Sequence, residues 1–118
     1  HLLTTLLMPA LTRAGAARVV AVSSSGHWWS AFDFEDPNFE RTPYDKWKAY
    51  GRSKTANILF TRELARRVAG RGVTANALHP GAVATRLGRG NGPLTDLLMP
   101  FFKDIGFAPA VTFLRPAR

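Results

Sequence analysis

Apolar positions at Leu2, Leu3, Leu6, Leu7 and Leu11 recur at the spacing of one helix face and predict an amphipathic helix over residues 1–13. Thr12-Arg13-Ala14-Gly15 closes it, with Gly15 as the candidate C-cap. The pattern then changes period. Arg18-Val19-Val20-Ala21-Val22-Ser23-Ser24 is a short β-branched run that predicts a strand buried on both faces, as in a parallel sheet. A second run, Val73-Thr74-Ala75-Asn76-Ala77-Leu78, predicts another strand that stops at Pro80-Gly81. Residues 25–43, with Gly26, Pro37, Asn38 and Pro43, read as a long irregular loop, and loops of that length in compact domains are usually functional. Thr42-Pro43-Tyr44-Asp45 then offers an N-cap, a proline at N1 and an acid at N3. The helix it opens covers 43–69, with Ala56, Phe60, Leu64 and Val68 at four-residue steps and Gly70 and Gly72 closing it.

Strand, helix, strand is one βαβ unit, which implies parallel pairing and a right-handed crossover. The fold class is therefore α/β: part of a Rossmann-type doubly wound parallel sheet, a βαβ fragment with flanking helices. Two strands alone make a marginal sheet, and the pattern is already under way at His1. Residues 1–118 are thus expected to form a single partial domain of something longer. Further on, residues 86–93 read as loop, Leu94–Phe102 as a short helix, and Ala108–Arg118 shows no convincing strand.

Composition narrows the function classes. With 46% hydrophobic and 20% charged residues in 118, the chain is globular and excludes a disordered tail, a collagen-like repeat or a coiled-coil rod. The absence of cysteine excludes a disulfide scaffold, a thiol nucleophile and a Cys-ligated zinc site. No apolar run reaches the roughly 18 residues that a bilayer span requires. The formal charge is +8, yet Arg13, Arg18, Arg52, Arg62, Arg66, Arg67, Arg71, Arg86 and Arg89 are spread along the chain. No interleaved basic and aromatic patch emerges, so nucleic acid is not the expected partner.

Parallel strands end at the same sheet edge, and open α/β sheets bind ligands beyond those carboxyl ends. Three segments converge there: Ser23-Ser24-Ser25, His79-Pro80-Gly81, and the early turns of the helix with Tyr50 and Lys54. Tyr50 and Lys54 are four residues apart and share a helix face. An ammonium beside a phenol stabilises the phenolate, which suits a tyrosine to acid–base work. Tyr44 and Lys48 have the same spacing, and spacing alone does not choose between the pairs. His27 and His79 lack a third ligand at a useful spacing, so local hydrogen bonding at a strand end is preferred and no metal site is assigned. Trp28, Trp29, Phe32 and Phe34 either line an apolar pocket or cap the loop against the sheet.

A resemblance separates the two tyrosines. Tyr50-Gly51-Arg52-Ser53-Lys54-Thr55-Ala56-Asn57 resembles the YxxSKxAN stretch of short-chain dehydrogenase/reductases, in the branch similar to retinol dehydrogenases and WW-domain oxidoreductases. Arg18–His27, Leu59–Arg67 and Ala75–Thr85 agree with the same family, in order and at its spacing. The resemblance implies that Ser24 orients the substrate oxygen, Tyr50 exchanges the proton, and Lys54 binds the nicotinamide ribose while favouring the phenolate. It implies that Pro80, Gly81, Val83 and Thr85 lie along the nicotinamide. The implied reaction is hydride transfer between NAD(P)(H), with NADP favoured, and an apolar carbonyl or alcohol substrate. The implied setting is the cytoplasm, with homo-oligomers formed through the helices at 1–13 and 43–69. The family's N-terminal half, with its glycine-rich phosphate turn, has no counterpart here. Gly88-Arg89-Gly90-Asn91-Gly92 lacks the strand-to-helix setting that such a turn needs. Residues 1–118 alone are therefore expected to hold the cofactor weakly and to be inactive. The competing reading is a non-catalytic interaction module, with those helices or the open edge of strand 18–24 as its docking surface.

Overall fold

The β-branched runs do form the sheet. The structure, a computed structural model, describes residues 1–80 and a strand at Thr112–Leu114. In chain order the elements are α1 (Leu2–Arg13), β1 (Ala17–Val22), a 3₁₀ turn (Ser25–Trp29), α2 (Lys46–Arg67), β2 (Val73–His79) and β3 (Thr112–Leu114). β1 and β2 pair in parallel from Ala17↔Val73 to Val22↔Leu78. β3 adds antiparallel on the other side of β2, with Ala77↔Leu114 and His79↔Thr112 as the outer pairs. This corrects the expectation of no strand in the tail: Thr-Phe-Leu is too short to show a period, and main-chain pairing with β2 supplies what the pattern lacks. The expected loop at 86–93 and helix at Leu94–Phe102 lie outside the described residues.

Both helices cover one face of the sheet. Leu64, Val68, Val73 and Ala75 form the buried core, with Met8, Leu11, Ala17, Val19, Phe60 and Ala65 packed against it. The stripe read from Phe60, Leu64 and Val68 is thus the inward face of α2. The other sheet face is open among the described residues. Exposure alternates along β1, and Val20 and Val22 are 48% and 53% exposed, so the two-sided burial expected of this strand is not found. Helix α1 brings a second correction. Met8 and Leu11 pack inward, whereas Leu2, Leu3, Leu6 and Leu7 are exposed. Its inward face follows the spacing Thr4, Met8, Leu11, and the leucine stripe lies beside it.

The start of α2 also differs from expectation. Asp45, and not Thr42, is the N-cap: its Oδ1 accepts from the N–H of Trp47 at 2.9 Å and of Lys48 at 2.8 Å. Thr42 is occupied elsewhere, its hydroxyl donating to Asp36 Oδ2 at 2.7 Å. Asp36 is 4% exposed and organises the loop before the helix. Its Oδ1 accepts from the N–H of Glu40 at 2.7 Å and of Arg41 at 3.2 Å, and its Oδ2 also accepts from the N–H of Thr42 at 3.0 Å. Arg52 of α2 clamps this loop from below. It donates to the Asp36 carbonyl at 2.7 Å and to Asp33 Oδ2 at 3.4 Å, and its guanidinium lies 4.1 Å from the Phe39 ring centroid. The long loop is therefore ordered by buried polar contacts that no hydrophobic pattern encodes.

At the opposite edge of the sheet, Gly72 closes the approach of α2 to β2. Its φ is +69°, and a Cβ there would lie 2.5 Å from the Gly15 carbonyl oxygen. Gly70 has φ +74° with open space around it. Alanine at either position costs about 1–2 kcal/mol for the left-handed backbone. Gly72→Ala is expected to cost more than Gly70→Ala because the main chain of Gly15 must also move; chemical denaturation of the two variants checks the order.

The Asp36 carboxyl is held down from 3.8 to about 2, first by the Thr42 hydroxyl and then by the N–H groups of Arg41, Glu40 and Thr42. A depressed carboxyl stabilises the fold above its unfolded value and loses that contribution as the pH falls through its folded value. Melting followed by circular dichroism should therefore fall as the pH drops from about 4 towards about 2. Asp36→Asn is expected to flatten that slope and to lower the melting temperature at neutral pH.

Candidate active site

Parallel pairing carries the ends of β1 and β2 to one edge, and the ladder continues one step further, Ser23 N–H donating to the Leu78 carbonyl at 2.7 Å. Ser23 is 3% exposed, and its hydroxyl donates to the Lys54 carbonyl at 2.9 Å. This ties the strand end to the third turn of α2. Asn57 adds a second tie, its Nδ2 donating to the Val22 carbonyl at 3.0 Å. Thr55 adds a third, its hydroxyl reaching the Ser30 carbonyl at 2.8 Å and the His27 carbonyl at 3.2 Å.

These ties seat the 3₁₀ turn against Tyr50. Gly26 is buried and has no room for a side chain: a Cβ there would lie 2.7 Å from a Tyr50 ring carbon and 3.5 Å from Ser24 Oγ. Gly51 meets the same turn from the helix side, where a Cβ would lie 2.9 Å from the Gly26 carbonyl oxygen. Gly51 thus lets main chain pack directly on main chain, and Gly26 lets main chain pack directly on the Tyr50 ring. Ser24 is the N-cap of the turn, and its Oγ accepts from Gly26 N–H at 3.1 Å. The Lys54 ammonium lies 5.3 Å from the Tyr50 ring centroid, one helical turn away.

Ser24 and Tyr50, drawn from two distant stretches, therefore meet at Gly26 beside the carboxyl end of β1, and Lys54 joins them through the Tyr50 ring. The rival pair does not form such a group. Tyr44 precedes α2, is 71% exposed and packs against Phe39. Pro80 follows β2 at the same edge, whereas Gly81, Val83 and Thr85 lie outside the described residues. His27 makes the local contact expected of it, Nδ1–H donating to the Ser24 carbonyl at 2.6 Å. Sequence reasoning missed the stitching by Ser23, Thr55 and Asn57. Asn57 belongs to the quoted motif, but a hydrogen bond to a carbonyl 35 residues away has no signal in local spacing.

The sequence model of the family described as short chain dehydrogenase matches residues 38–93, a span that contains all of α2 with Tyr50 and Lys54. The chain belongs to that family. Its relatives place it in the retinol-dehydrogenase-like branch of the short-chain dehydrogenases. A Streptomyces lividans protein named "Probable oxidoreductase" is 60% identical over 87 residues, 74% of this chain and 29% of that protein. Mouse (Mus musculus) retinol dehydrogenase 14 is 53% identical over 88 residues, 75% of this chain and 26% of the relative. A crystal structure of an uncharacterized protein from Mycobacterium Paratuberculosis aligns with a TM-score of 0.63 at 47% identity, covering 72% of this chain and 31% of the other. The chain thus spans under a third of the length of these relatives.

Proposed function

We propose that these residues are the catalytic half of an oxidoreductase that moves a hydride between NAD(P)(H) and a carbonyl or alcohol substrate. The observation that carries the reading is the Tyr50 ring packed on the Ser24–Gly26 turn with the Lys54 ammonium 5.3 Å from its centroid. A hydroxyl, a phenol and an ammonium on one sheet edge form a donor set that suits the nicotinamide end of the cofactor. Lys54 would hold the ribose hydroxyls, and Pro80, with Gly81, Val83 and Thr85 beyond it, would lie along the nicotinamide. When bound, the cofactor supplies the hydride. In the reducing direction Ser24 donates a hydrogen bond to the substrate oxygen and fixes its position. Tyr50 delivers its phenolic proton to that oxygen, and Lys54 places positive charge beside the phenolate that remains. Oxidation runs the same proton back. NADP is the form we propose, and the cytoplasm the compartment.

A hybrid tests the chemistry directly: the Streptomyces lividans relative carrying this chain's residues in place of its own matched stretch, assayed with retinal and NADPH. Turnover is expected. Tyr50→Phe in that hybrid should lower kcat by about 10²-fold or more while leaving cofactor affinity in place. Unchanged turnover would remove Tyr50 from the reaction.

A second reading, association through the helices, has its own support. Leu2, Leu3 and Leu6 are 70%, 70% and 69% exposed on one side of α1. A cavity of about 680 Å³, lined in part by Thr4, Met8, Leu59 and Phe60, opens between α1 and α2. Apolar surface of this kind is costly in water and marks an interface. Light scattering of the chain is expected to show self-association, and Leu3→Glu with Leu6→Glu to return it to monomer. Because these leucines lie outside the core, the paired change should leave its melting temperature nearly unaltered.

A further inference from the structure

The proposed function uses Tyr50 and leaves its aromatic neighbours unexplained. Trp29 ends the 3₁₀ turn, and Trp47 stands three residues before Tyr50, on the same face of α2. Their rings meet edge to face, 5.5 Å apart at 88°. Trp29 continues to Tyr50, with centroids 6.0 Å apart at 43°. Three rings therefore run without interruption to the phenol. Trp29 is nevertheless 56% exposed and Trp47 44% exposed. Trp28 is set apart: it is 77% exposed and its ring contact is with His27, at 5.2 Å.

We infer that Trp29 and Trp47 are specificity-determining residues, a seat for a flat aromatic ring system in an alcohol or carbonyl substrate whose oxygen is at Tyr50. The inference rests on the oxidoreductase reading for the position of that oxygen. The physical argument is the shape of the corner. Two indoles set at right angles offer a face and an edge together, and a planar π-system satisfies both, by offset stacking on one and edge-to-face contact with the other. A puckered saturated skeleton of the same carbon count gains the apolar contact and loses the ring term. The seat is anchored at both ends, by the Thr55 bonds under the turn and by the Asp45 cap under Trp47, so its geometry is set before a ligand arrives.

The three tryptophans make the test self-controlled. The isotopically labelled chain is titrated with naphthalenemethanol and with its fully saturated decalin counterpart, and the indole N–H resonances of Trp28, Trp29 and Trp47 are followed by NMR. The flat alcohol is expected to move Trp29 and Trp47 and to leave Trp28 in place. The saturated alcohol is expected to bind about tenfold more weakly. Trp47→Leu, and separately Trp29→Leu, should each cost the flat probe about tenfold in affinity, and Trp28→Leu should cost it nothing. Equal affinity for the two alcohols, a Trp28 shift as large as the others, or unchanged binding in Trp47→Leu would each overturn the assignment. The measurement needs no turnover. Failure of the Tyr50→Phe experiment alone removes the proton donor, and failure here alone removes the ring seat.

Discussion

Strand and helix are joined at the candidate site by a hydroxyl bonded to a main-chain carbonyl, Ser23 to Lys54, inside a region with little water. Buried hydrogen bonds of this type add only about 1 kcal/mol net, but breaking one leaves a desolvated acceptor behind. Their greater effect is geometric. With Ser23 committed to the helix backbone, the next residue along the chain, Ser24, accepts from the Gly26 N–H at the point where Gly26 packs on the Tyr50 ring. The Thr55 and Asn57 bonds repeat the same device on either side. A helix and a strand end that touch by apolar packing alone could slide; three polar ties fix their register.

A second polar centre stands behind the first. Arg52 lies between Tyr50 and Lys54 in sequence but turns away from them, into the loop organised by Asp36. The helix thus serves two sites at once. One face carries Tyr50 and Lys54 of the candidate site, and the neighbouring face holds the loop whose last residue, Asp45, caps the same helix. Loop, cap and Tyr50 are therefore mechanically continuous.

Much of this was legible in the residues themselves. The β-branched runs, the stripe from Phe60 to Val68 and the Tyr50–Lys54 spacing carry their own period, and the structure forms the strands and the helix face as read, with β1 buried on one side instead of two. The convergence of Ser24 with Tyr50 followed from parallel topology. What escaped depended on partners far away in sequence. Asp36 looks like any loop acid until Glu40, Arg41 and Thr42 are folded around its carboxylate. Asp45 took the cap because Thr42 was drawn to Asp36, a competition that a local capping rule does not contain. The leucines of α1 have the spacing of a buried face, yet hydropathy records only that a face is apolar and not which apolar surface will meet it.

The edge order of the sheet has a consequence of a different kind. Among the described residues β1 is paired with a strand on one side only; on its other side Asn57 takes the Val22 carbonyl, and the outward groups before it have no strand partner. A row of that sort has directional affinity for extended polypeptide. It is a seam to which a further strand joins by main-chain hydrogen bonds alone.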